Sequence, residues 1–175
     1  MARRPGRPPA EPLRGHAAAD IAIIGGGYTG LWTALFLKEL EPRRKVAILE
    51  QELVGYGGSG RNAGIVGETI DHSHELAIAH FGLEEARRLA RLGRENLDAM
   101  ETFLRERGID AGFERTGQLL VAVRPEHVGA LEAGRAAAEK VGSPGWRLLS
   151  REEARAELAS PLYEGALLSP RSALV

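Results

Sequence analysis

The chain has 175 residues, 43% hydrophobic and 27% charged, with a formal net charge of −1 and no cysteine. That length suits about one domain, able to bury ~70% of its unfolded surface. The near-zero charge gives no electrostatic basis for a nucleic-acid or acidic-membrane partner, and the absent cysteines exclude disulfides and thiolate metal sites.

No apolar run approaches the ~20 residues needed to span a bilayer. Residues 1–19 are rich in proline, arginine and glycine and lack the apolar segment of a secretory leader. Nothing hydrophobic follows Arg3-Arg4, so the likeness to a twin-arginine signal is superficial. The expectation is a disordered tail on a cytoplasmic protein.

Organised sequence begins at Asp20. Ile21-Ala22-Ile23-Ile24 predicts a short strand buried on both faces. Gly25-Gly26-Gly27-Tyr28-Thr29-Gly30 follows and satisfies G-x-G-x-x-G. Leu31, Ala34, Leu35 and Leu37 then recur at helical spacing, and Pro42 stops the helix near Leu40. Val46 to Leu49 predicts a second buried strand, closed by Glu50.

Each residue of this β-α-β unit has a physical role. Gly25 permits the tight turn, Gly27 lets backbone amides approach a pyrophosphate, and Gly30 lets helix pack on strand. The amides that open the helix, with its dipole, attract negative phosphates. Glu50, twenty residues past Gly30, suits the hydroxyls of an adenosine ribose and would repel a 2′-phosphate. A glycine pattern alone is weak; strand, helix and spaced carboxylate together point to a dinucleotide.

Gly55-Tyr56-Gly57-Gly58-Ser59-Gly60-Arg61-Asn62-Ala63-Gly64 has two readings. It is a flexible linker, or a turn whose hydroxyl, guanidinium and amide bind phosphate and a polar ring system. Asp71-His72-Ser73-His74-Glu75 reads more plainly as a helix start, capped by Asp71 or Ser73, than as a metal cluster.

Leu83 to Arg107 predicts a long amphipathic helix with a buried stripe of Leu89, Leu92, Leu97, Met100, Phe103 and Leu104, ended by Gly108. Glu84/Arg88 and Glu101/Arg105 are spaced as i,i+4 pairs on a solvated face. Gly93 inside it marks a close contact or a bend. Phe113–Arg115 and Gln118–Val123 predict a hairpin or two neighbouring strands. Pro125 opens a helix reaching Lys140, Trp146–Leu149 is a strand, and Ser150-Arg151-Glu152-Glu153 is a capping box. Trp146 and Tyr163 read as packing residues. Beyond residue 110 the strict β-α-β rhythm is lost, which suggests an appended α+β layer.

GGGYTGLWTA, the strand ending in LEQE, and VGYGGSGRNAG resemble the N-terminal region of the FAD-dependent oxidoreductases of the D-amino-acid oxidase and glycine oxidase superfamily. SGRNAG most resembles the γ-glutamylputrescine oxidase branch. RTGQLLVA (115–122) and LSREEARAEL (149–158) extend the likeness more loosely. The resemblance implies an α/β fold: the N-terminal part of a Rossmann-like FAD-binding domain over 20–72, then the first part of an α+β substrate domain over 73–175.

The implied FAD contacts are Gly25, Gly26, Gly27, Tyr28, Thr29 and Gly30 in the first turn, with Glu50 and Gln51 at the second strand. Ser59, Gly60, Arg61, Asn62, Ala63 and Gly64 lie along the pyrophosphate and flavin. The implied reaction is hydride transfer from the nitrogen-bearing carbon of a small amine or amino acid to flavin N5. Hydrolysis of the imine follows, with oxygen as acceptor. No spacing identifies a catalytic base. Family members carry further strands and a second glycine-rich motif, so the expectation is that this chain is the N-terminal part of a larger enzyme. A nicotinamide-dependent dehydrogenase, or a non-catalytic remnant, are the alternatives.

Overall fold

The computed structural model describes residues 10–69 and 72–175. They form two compact units that meet in the chain between Ala63 and Gly64. The expected boundary at 72/73 divides the chain by role, cofactor from substrate, and is kept as a proposal. Residues 10–19 are exposed and carry no regular element; the rest of the expected tail lies outside the described residues.

In the first unit, β1 (Ile21–Ile24) and β2 (Val46–Leu49) pair in parallel, Ile21 opposite Val46 through Ile24 opposite Leu49. The crossover is α1 (Tyr28–Leu40), whose half-buried side includes Leu31, Ala34, Leu35 and Leu37. The expected full burial on both faces is not found in β1 or β2. β1 alternates half-buried with exposed positions, and Ile24 is 81% exposed. The reason is layering: Ile23 faces α1 at Gly30, while Ala22 and Ile24 turn to the opposite side by strand periodicity.

The second unit holds the three buried apolar clusters. β4 (Gln118–Ala122), β5 (Arg147–Leu149) and β6 (Gly165–Ser169) make an antiparallel sheet in the order β4-β6-β5. β3 (Ile65–Val66) pairs with β7 (Ala173–Leu174). The expected partnership of 113–115 with 118–123 is not formed. The chain turns at Thr116-Gly117 so that Glu114 bridges Leu174 and Gly117 N–H donates to Ser172, leaving β4 to pair with β6.

α2 (His74–Glu106) begins at Ser73, whose hydroxyl accepts from Leu76 N–H. Asp71, the other expected cap, lies outside the described residues. Gly82, at φ 78°, ψ 165°, breaks the helix, so the stretch from Leu83 is a separate rod. Its fully buried positions are Ala86, Ala90, Gly93 and Leu97; of the expected stripe Leu97 is buried, Leu89, Met100, Phe103 and Leu104 are half-buried, and Leu92 is exposed. Small residues win because backbone comes close: a Cβ on Gly93 would lie 1.7 Å from the Glu68 carbonyl oxygen. The surface ion pairs also shift, to Glu84–Arg87 and Glu85–Arg88 at i,i+3, while Glu101 binds Arg115.

α3 (Val128–Lys140), preceded by a 3-10 turn at Pro125–His127, covers the sheet through Leu131. α4 (Arg151–Glu157) has the full capping box, with Ser150 Oγ accepting from Glu153 N–H and Glu153 Oε2 accepting from Ser150 N–H.

Candidate functional site

Two glycine turns meet at the start of α1 in the first unit. Gly25, at φ +100°, opens the first turn, and a Cβ on Gly30 would stand 2.1 Å from the Gly25 carbonyl oxygen. Gly55, at φ +80°, opens the second; a Cβ on Gly60 would meet the Gly55 carbonyl oxygen at 2.2 Å. Neither close approach tolerates a side chain, so both turns demand glycine at each end. Gly55 N–H donates to the Gly26 carbonyl and ties the turns together.

α1 lacks a side-chain cap at Gly27. Instead Tyr28 N–H donates to Ser59 Oγ at 3.0 Å, across 31 residues of sequence. The hydroxyl oxygen stands where a helix N-terminus receives an anionic oxygen. Asn62 Nδ2 donates to the Ser59 carbonyl at 2.9 Å and to Tyr28 Oη at 3.3 Å, which closes the second turn over the first. The Arg61 guanidinium lies over the Tyr56 ring, 4.3 Å from its centre.

Glu50 ends β2 with its carboxylate aimed at the triple-glycine turn. Oε2 accepts from Gly26 N–H at 2.6 Å and Oε1 from Glu52 N–H at 3.0 Å. The hydrogen bond from Glu52 N–H, then that from Gly26 N–H, hold this carboxyl below the ordinary range. It is therefore an anionic acceptor at neutral pH, beside the edge of the turn.

The residues expected from sequence fall into two groups. Gly25, Gly26, Gly27, Tyr28, Gly30, Glu50, Ser59, Gly60 and Asn62 share this one network, and Arg61 stands beside it on Tyr56. Thr29 contributes a carbonyl that accepts from Thr33 Oγ1, and Gln51 is exposed. Gly64 lies in the second unit, where its carbonyl accepts from Val175 N–H. Ala63 is the exposed end of the first unit.

A second polar cluster, in the second unit, has no counterpart in the sequence reading. Glu68 is 1% exposed and its Oε1 accepts from Trp146 Nε1 at 2.7 Å. His74 Nε2 stands 3.7 Å from Oε1, and Arg171 Nε 3.8 Å from Oε2. Desolvation pushes the Glu68 carboxyl up. The approach of His74, the Trp146 hydrogen bond and the charge of Arg94 outweigh it and leave the group below the ordinary range. Trp146 thus does more than pack. The available sequence signal was only an acid inside an otherwise apolar Ile65-Val66-Gly67 approach.

Comparison with known proteins adds identity to this geometry. The profile of the family described as DAO, FAD dependent oxidoreductase, matches residues 20–175. Gamma-glutamylputrescine oxidoreductase of Escherichia coli K12 is 32% identical over 160 residues, covering 91% of this chain and 37% of that protein. L-2-hydroxyglutarate dehydrogenase of Indibacter alkaliphilus is 34% identical over 110 residues, covering 62% and 24%. The solved glycine oxidase of Geobacillus kaustophilus superposes with a TM-score of 0.68 at 28% identity, over 90% of this chain and 40% of that one. The chain thus spans 37% of the length of the first curated relatives.

Proposed function

Since the chain belongs to the DAO family of FAD-dependent oxidoreductases, we propose that it is the cofactor-binding part of an enzyme oxidising the C–N bond of a small amine or amino acid. FAD is the cofactor of that family. The observation that carries the residue assignment is the pairing of Glu50 with Gly26 beside the start of α1, where the Ser59 hydroxyl rather than the cap residue meets the first amide. An acceptor for ribose hydroxyls and a receptor for phosphate oxygens then lie at the two ends of one short turn.

In this reading the amides of Tyr28, Thr29 and Gly30 receive the pyrophosphate, with Ser59 Oγ marking an oxygen position. Glu50 accepts from the ribose, and Arg61 and Asn62 face the pyrophosphate and flavin. FAD, when bound, would supply the two-electron acceptor for the substrate's hydride, with oxygen as the onward acceptor. The substrate loses a hydride and a proton to give an imine, which water converts to a carbonyl compound and a free amine or ammonia. The residues here hold and orient; the groups that bind substrate are not among those assigned. Among the described residues no helix is long and apolar enough to cross a membrane, and a cytoplasmic location completes the proposal.

The test is Glu50→Gln in the full-length protein. Loss of the charged acceptor should weaken FAD binding about tenfold, read by titrating flavin-stripped protein. Unchanged affinity removes Glu50 from the ribose site. The likeness to L-2-hydroxyglutarate dehydrogenase favours a second reading, oxidation of a 2-hydroxy acid. Assay of amines, amino acids and 2-hydroxy acids with the loaded enzyme separates the two, since only the first chemistry releases ammonia or an amine.

A further inference from the structure

Among the described residues, Arg61 is held differently from the arginines that pair with carboxylates. Arg44 pairs with Glu41, Arg88 with Glu85, and Arg115 with Glu101 and Asp98. The Arg61 guanidinium pairs with no carboxylate among the described residues; it lies over the face of Tyr56. Tyr56 is itself 50% exposed, so core packing does not account for its ring. Glycines surround it at positions 55, 57, 58 and 60, where the backbone has little stiffness of its own.

We infer that Tyr56 is a positioning residue: its ring is a shelf that fixes the Arg61 guanidinium for an anionic phosphate of the dinucleotide. This rests on the flavin reading of the second turn. The ring face attracts the guanidinium through its charge and offers no oxygen acceptor to any of its five N–H donors. The shelf therefore restrains the cation without consuming the donors that grip a phosphate. A carboxylate partner would restrain it equally well but would neutralise the charge and occupy those donors. An aromatic support is the choice that leaves an arginine both ordered and available.

The experiment uses full-length, flavin-stripped protein titrated with FAD by flavin fluorescence. Tyr56→Ala should weaken binding about twofold to fivefold. Tyr56→Phe, which keeps the face and removes only the hydroxyl, should retain wild-type affinity. The Tyr56→Ala/Arg61→Ala double variant should bind no more weakly than Arg61→Ala alone, because the shelf acts only through the arginine. A Tyr56→Phe loss as large as that of Tyr56→Ala overturns the proposal, as does a Tyr56→Ala loss that persists in full on the Arg61→Ala background. If Arg61→Ala weakens binding and Tyr56→Ala does nothing, the shelf alone fails. If Arg61→Ala binds FAD like the wild type, the flavin reading of the second turn fails with it.

Discussion

At the scale of single residues, the tightest constraint on the proposed cofactor turn is Gly30. An added Cβ 2.1 Å from the Gly25 carbonyl oxygen meets backbone, not a yielding side chain. Gly30→Ala should therefore open the turn, costing about 1–3 kcal/mol, and the full-length protein should show both a lower melting temperature and reduced flavin content. Glu50 carries a pH signature instead. Its carboxyl is held down by the Glu52 and Gly26 amides, so it stays ionised through neutrality and mild acid. FAD affinity should stay level there and fall only as pH drops through that lowered value. Glu50→Gln should remove its part of this acid limb, which titrations across pH will show. The meeting of Gly25, Gly30 and Glu50 at one turn was legible because the spacing of a β-α-β motif sets it; their roles toward FAD are the proposal. Tyr56 and Glu68 were not legible, since a shelf and a buried acid are defined by partners five and 78 positions away that no pattern announces.

Elements were read best where the chain punctuates itself. The capping box at Ser150 and the stop before Pro42 appear as written. The stripe of α2 was legible at Leu97 and in part at Leu89, Met100, Phe103 and Leu104, but Ala86, Ala90 and Gly93 were missing from it, because closeness of backbone rather than hydrophobicity selects small residues there. Gly93 was flagged as a contact or a bend and is a contact; the bend belongs to Gly82. Gly93→Ala should force helix and Glu68 apart and destabilise the second unit by about 2–3 kcal/mol, measured by denaturant unfolding. Gly82→Ala places a side chain at φ 78°, ψ 165°, a backbone region that essentially only glycine adopts, so even with open space around it the cost should be about 2–3 kcal/mol. The 113–123 hairpin failed for another reason. Pairing of β4 with β6, whose sequence lies some forty residues later, is a tertiary choice that local propensity does not encode.

For the molecule as a whole, burial is uneven. The second unit contains the apolar clusters, while the first exposes Ile24, Phe36 and Leu40 on a two-stranded sheet and its helix. Residues 1–175 alone should consequently bind FAD weakly or not at all, and co-purification of stoichiometric yellow flavin would contradict this. The second unit should be acid-sensitive. Glu68 has a carboxyl lower in the folded than in the unfolded chain, so its contribution is present above the ordinary carboxylate range and lost as pH falls through the lowered value. Glu68→Ala, which leaves Trp146 Nε1–H without its acceptor in the interior and removes the negative charge beside His74 and Arg171, should cost about 2–3 kcal/mol at neutral pH, with a smaller penalty in acid.

The two-rung ladder of β3 and β7 joins Ile65 to Leu174, closing a loop of about 110 residues for very few hydrogen bonds. Such a clasp is entropically the last to fasten during folding and the first to let go by fluctuation. Deuterium should therefore enter at Val175, whose N–H donates to the Gly64 carbonyl at the end of this ladder, well before it reaches the β4–β6 rungs, making the β3–β7 pair the seam from which the second unit comes undone.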